Sequence, residues 1–269
     1  MVPGQVDIAR RVQSERKRTP DLNAYDLMLR AEHISDWNFY SRETETLLKQ
    51  VLEIDPGYAT AHALLAEYYA YSVFDHGLNI DENTTLARNH AETALKLDPV
   101  DPVVQAILAE TYLLVGKHES SKYYMDKAIT LNPNDYRIMT AAGMVKAYLG
   151  DCDGALRWIE KAAVCDPYSS DSVREMFFDA RYLGHQYELA LEQLVGWHNP
   201  PSHMYLSQAA ALAQLDRIEE AEEAVQKFEK SRPKECNVVG IIQGYARMCA
   251  MPDDSERWLE GFRKAGIKI

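Results

Sequence analysis

Basic charge, paired cysteines, glycine and long apolar runs are all scarce in this chain, and each scarcity removes a class of function. The 269 residues carry 29 Lys and Arg against 41 Asp and Glu, a formal charge of −12. That balance disfavours nucleic acid and anionic membrane as partners, because phosphate binding draws on a basic surface. Four cysteines, Cys152, Cys165, Cys236 and Cys249, show no C-x-x-C spacing. Neither a zinc site nor a disulfide framework is expected, and reduced thiols in a cytoplasm are the default. No window approaches the roughly 18 apolar residues of a membrane span. The opening MVPGQVDIARRVQ has no hydrophobic signal segment, so a cytoplasmic protein is expected. With only 13 glycines, abundant helix formers and no alternating strand pattern, the chain reads as all-α. Phosphate-loop, dinucleotide-fold, nucleophile-elbow and H-E-x-x-H motifs are missing too, so no catalytic residue, metal or cofactor is expected.

What the chain does have is a period. Pro99, Pro133 and Pro167 each close a helix-end pattern of Asp or Asn followed by Pro, or its close variant, and stand 34 residues apart. Between two of them, Leu108, Ala109 and Tyr112 form one small-and-large apolar group, and Ser121, Met125 and Ala128 a second. Gly116 stands in the gap. Helical periodicity turns this into two amphipathic helices joined by a tight turn, a hairpin that needs copies of itself to bury its faces. The next unit repeats it with Ala142, Gly143, Gly150, Ala155, Ile159 and Ala162. Gly143 and Ala155 fall where the helices of a pair cross, so bulk at Gly143 is expected to hurt the stack.

Earlier and later units are less regular. Pro56 closes a degenerate first unit with Thr44 at a small position, and Leu65, Ala66 and Tyr69 mark the second. Pro56 and Pro99 lie 43 residues apart, nine more than the period. The surplus, in residues 72–85, is expected to project as a loop. The fifth unit keeps Gly184, Ala190 and Leu194, and the sixth Ala209, Ala221, Val225 and Phe228. Between them the turn Trp197-His198-Asn199-Pro200-Pro201 predicts a local change of curvature. The tail reads as a final helix pair with Pro252 at its turn and Trp258, Leu259 and Phe262 buried on the sixth unit. Residues 1–22 read as a separate linker helix, with Val6, Ala9 and Val12 on one face and a basic cluster of Arg10, Arg11, Arg16, Lys17 and Arg18.

A 34-residue helix-turn-helix period with these anchor positions resembles the tetratricopeptide repeat (TPR). The resemblance implies a right-handed superhelix of about six to seven repeats over residues 23–269, with C-terminal capping helices. The flanks PDLNAYDLMLRA and WLEGFRKAGI are similar to those around the C-terminal TPR region of bacterial adenylate/guanylate cyclase-type and TolB-like regulator proteins. That likeness implies a non-catalytic regulatory or sensory module of a signalling protein, or alternatively a self-association module that dimerises an attached domain. The lysine-asparagine clamp for chaperone C-termini is not matched, since Ala63 and Ala106 stand where clamp residues would.

In such a stack the free face of each first helix lines a concave groove for a protein or peptide. Spacing places Glu67, Tyr71, Glu110, Arg137, Met144 and Tyr148 on that face in the second to fourth units, and Arg174, Phe178, Arg181 and Tyr182 in the fifth. Three arginines beside aromatics suit an acidic, partly apolar ligand. The competing reading is that the aromatics pack between repeats and the arginines pair with Glu110 or Asp171.

Overall fold

A computed structural model describes residues 22–37, 41–76, 80–165, 170–234 and 236–269. Residues 1–21, most of the segment read as a linker helix, lie outside them. Among the described residues there are fourteen helices and no strand, as the composition requires. They run as hairpins: α1 (Leu22–Trp37) with α2 (Arg42–Ile54), α3 (Ala59–His76) with α4 (Ile80–Leu97), and α5 (Pro102–Leu114) with α6 (His118–Leu131). The array continues with α7 (Tyr136–Tyr148) and α8 (Cys152–Cys165), α9 (Ser170–Leu183) and α10 (Tyr187–Glu192), α11 (Ser202–Gln214) and α12 (Ile218–Ser231). It ends in α13 (Val238–Met248) and α14 (Pro252–Lys264).

Local chemistry explains the period. Asp101 caps α5 by accepting from the backbone N–H groups of Val103 and Val104 at 2.8 and 3.2 Å, with Pro102 as the first helical residue. One period on, Asp135 accepts from the Arg137 N–H at 3.0 Å and starts α7. Each cap satisfies donors that the first turn leaves free. The first helices end alike: Gly116 and Gly150 take φ of 75° and 91°, and the next residue's N–H reaches back to Tyr112 O (2.7 Å) or Lys146 O (2.8 Å). The fifth and sixth units make the same closure with His185 and Asp216 at φ of 61° and 57°, a conformation that costs a residue with a Cβ about 1–2 kcal/mol. Those two turns are held by the surrounding stack rather than by their own propensity.

Within a hairpin the helices cross on small residues. Ala66, Ala109 and Gly143, each in the same register, are buried. At Gly143 a Cβ would overlap Ile159 Cγ1. Gly143→Leu is therefore expected to push α7 off α8 at a cost of about 1–3 kcal/mol. Thermal unfolding followed by circular dichroism checks it; an unchanged midpoint would mean the crossing is loose.

Two expectations need correction. Residues 72–76 and 80–85 of the surplus segment are helix rather than loop, and 77–79 lie outside the described residues: α3 and α4 are each 18 residues long, against 13 or 14 in the third and fourth units. The segment continues the helical pattern on both sides, and Asp81 and Glu82 supply the acidic first turn that favours a helix start. The tail is also more than an end cap. α14 packs on α11 as expected, and Trp258 and Phe262 are buried. But α14 also enters between α9 and α11: a Cβ at Gly261 would lie 2.7 Å from Tyr182 Oη and 3.0 Å from Ala210 Cβ. The predicted change of curvature is thus a gap between the fifth and sixth first helices, filled by the chain's own end.

Candidate functional site

The inner faces of α3, α5, α7 and α9 form the concave wall, and α13 lies across it. This helix packs against α3 and α5, and the turn after it reaches α7, where the Ala250 N–H donates to Tyr148 O at 2.9 Å. His118 donates through Nε2 to Arg247 O at 3.1 Å, and the Tyr245 and Ser207 hydroxyls share a buried hydrogen bond of 2.8 Å. Trp258 stacks on Tyr182 with centroids 3.7 Å apart and lies 4.5 Å from the ring of Tyr245. Tyr182 and Gln214 both donate to Arg257 O, at 3.2 and 2.9 Å. The sequence of α13, VVGIIQGYARM, shows why it sits so close: Gly240 and Gly244 are buried among its apolar residues and keep one side of the helix slim.

The residues read as a partner groove are therefore brought together, but not left open. Tyr148, Phe178 and Tyr182 are fully buried and Met144 nearly so, so no separate partner touches them while the C-terminal hairpin is in place. Tyr71 donates to Met144 Sδ across 3.4 Å. The competing reading, aromatics packed inside the stack, holds for these positions.

The arginines also serve the fold. Arg174 donates through Nε to Gln193 O at 2.7 Å and through Nη2 to Val195 O at 2.6 Å, and lies over the Trp197 ring. Arg181 donates to Leu189 O at 3.0 Å and lies over Phe177. Because α10 stops after six residues, the carbonyl of Leu189 at its end and those of Gln193 and Val195 in the turn beyond it are left for guanidinium groups to satisfy. Arg137 stands apart, 3.9 Å from Glu32 and 3.7 Å from Asp135. Glu110 forms no ion pair with these arginines among the described residues, and the side chain of Asp171 lies outside them. The truncation of α10 was the signal missed; Gly196, at φ 73°, and Pro200-Pro201 are its traces in the sequence.

Two sets of carboxyls remain inside. Glu67 and Glu110 hydrogen-bond one another from adjacent first helices. Burial and the neighbouring Glu110 hold Glu67 well above the usual carboxylate range, and burial pushes Glu110 up to about 7. Asp179 accepts from Tyr148 Oη at 2.8 Å on one oxygen, while its other oxygen is buried without a partner. Burial, with Glu175 nearby, pushes it up to about 8. Among the described residues no group of three or more His, Cys, Asp or Glu is arranged to hold a metal ion, and no helix is long and apolar enough to cross a membrane.

Residues 104–135 match the family described as Tetratricopeptide repeat. No curated protein matches the chain. Among solved structures, a tetratricopeptide repeat protein from Parabacteroides merdae is 14% identical, with 91% of this chain and 93% of that one aligned at a TM-score of 0.51. PilW, a widely conserved type IV pilus biogenesis factor, is 16% identical, with 80% of this chain and 97% of that one aligned at 0.53. At these identities the likeness concerns the fold.

Proposed function

We propose that this chain, a helical-hairpin solenoid with a tetratricopeptide-repeat match at residues 104–135, is a non-catalytic protein-interaction scaffold that meets its partners on its outer face, as the cytoplasmic regulatory module of a bacterial signalling protein. The observation that carries the reading is the occupied inner wall. A stack of hairpins offers two long surfaces, and here α13 already fills the concave one as a helical ligand would. Displacing it would expose Trp258, Phe262, Tyr245, Tyr182 and Tyr148, all buried, at about 1.5–3 kcal/mol for each large side chain. The total, about 7.5–15 kcal/mol, matches or exceeds the about 8 kcal/mol that an ordinary micromolar partner supplies. The hairpin is thus a fixed part of the scaffold rather than a latch.

The test is chemical cross-linking of the tagged chain inside its source cells, followed by mapping of the linked residues. Links from a protein partner to the second helices α4, α6, α8 and α12 support the reading. Recovery of no protein partner, or links confined to α13 and α14, overturns it. The reading frame upstream of Met1 tests the signalling assignment, which needs a catalytic or DNA-binding domain there. A second reading, self-association that pairs such a domain, is favoured by opposite charges on the N-terminal segment, with its five cations in residues 10–18, and on the α10–α12 surface, where Glu188, Glu192, Glu220 and Glu223 are exposed.

A further inference from the structure

The second helices α6, α8 and α12 each run 14 residues, but α10 runs six. An open cleft of about 420 Å³ lies between α10, the turn that follows it, α11 and α12. Leu191 and Val195 give it apolar walls, and Val195 is 75% exposed. Glu188, Glu192, Glu220 and Glu223 rim it, all on the surface. Two cations also line it: Arg217 and Lys227. Arg217 is committed to Glu220 through Nε at 2.7 Å and Nη2 at 2.5 Å, which leaves Lys227 against three carboxylates.

An acidic rim around an apolar floor calls for a helix with cations beside an apolar stripe. This chain carries a segment of that pattern. Its residues 10–18 hold five cations, Arg10, Arg11, Arg16, Lys17 and Arg18, in a chain of net charge −12, and Val6, Ala9 and Val12 recur at helical spacing just before and among them.

We propose that residues 6–18 of one copy dock in the α10–α12 cleft of a second copy, so that two chains pair by exchanging their N-terminal segments. The proposal rests on the self-association reading and gives it a surface. Exchange, rather than folding back, follows from reach: residues 19–21 span at most about 10 Å when extended, and α1, which packs on α2, is not packed against α10 or α12. Reciprocal exchange closes after two copies, which keeps the contact from propagating into a fibre.

The full chain is examined by sedimentation equilibrium over a range of concentrations in about 50 mM and 500 mM salt, where screening separates charge pairing from apolar association. The expected result is a mass rising to twice that of the monomer in low salt and a weaker association in high salt. A carbodiimide should then couple Lys17 of one copy to Glu188, Glu192, Glu220 or Glu223 of the other. Glu192→Lys with Glu223→Lys, both on exposed positions, should weaken pairing at least about tenfold, and Arg10→Glu with Arg11→Glu in the mixed partner should restore it. A chain that stays monomeric, a dimer indifferent to the reversal, or Lys17 coupled only within its own chain overturns the proposal. None of these results touches the scaffold reading, which the partner cross-links decide separately.

Discussion

Trp258→Ala is expected to cost about 3–5 kcal/mol, the range for truncating a large aromatic in a core that cannot collapse around the loss. Trp258 has no accessible surface and is held between Tyr182 of α9 and Tyr245 of α13, with Phe262 5.6 Å away. It therefore joins the fifth unit to both helices of the C-terminal hairpin, parts of the fold that no backbone turn connects. The neighbours cannot close the gap, because α9 and α11 are kept apart by their own packing on α8, α10 and α12. In a domain this large each kcal/mol lowers the melting midpoint by about 2–4 °C, so a fall of roughly 6–20 °C should appear in calorimetry. Hydrogen exchange adds the discriminating readout. Amides of α13 should lose protection together with those of α3 and α5, since the hairpin and wall form one packed body. If α13 alone loses protection while the midpoint stays within about 1 kcal/mol of the parent, the hairpin is a detachable latch and the inner wall is open for ligands.

How far the chain was legible follows from where each contact lies along it. The period of Pro99, Pro133 and Pro167, the small residues at helix crossings and the burial of Trp258 and Phe262 are local or nearest-neighbour features, and sequence spacing carries them. The position of α13 is not local. Its apolar residues announce a buried face, yet nothing in Val238–Met248 says that this face meets helices more than 120 residues earlier. The same limit applies to Tyr148 and Phe178, whose register places them on the inner wall whether that wall is wet or filled. Arg174 and Arg181 were placed on the groove because their Cα positions are there. Their long side chains instead reach the carbonyls of a helix that spacing alone makes full length. Residues 72–85 show the reverse error, in which an insertion that breaks the period is taken to break the helix, while its own sequence continues it.

Stability should fall as the pH rises from about 6.5 to 8, above the range in which His62 and His90, both lowered by burial, act in the opposite sense; this is opposite to the acid unfolding of proteins with paired surface carboxylates. The sign follows from the buried acids. Asp179 titrates near 8 and Glu110 near 7, with Glu67 also raised, whereas the same groups in an unfolded chain titrate near 3.9 and 4.3. Between those values the native state holds protons that the unfolded state has lost. The stabilisation they give relative to the ionised native protein is complete below the unfolded value and disappears as the pH passes the folded one. Each such proton contributes a slope of about −1.4 kcal/mol per pH unit within its window. The charges facing these groups set the order of events: Glu175, itself 3.0 Å from His203 Nε2, opposes ionisation of Asp179, while Arg137 assists that of Glu67. Asp179→Asn keeps an acceptor for Tyr148 Oη and cannot ionise. It should remove about one proton's slope between pH 5 and 8 and leave the variant more stable than the parent at pH 8.5, although less stable or equal at pH 5. Glu110→Gln should flatten the curve only up to about pH 7. Urea unfolding of the three proteins at half-unit pH steps decides the matter. A parent whose stability is level or rising across that range would show that the carboxyls under the hairpin are ionised and solvated, and that the wall beneath α13 is wetter than its packing implies.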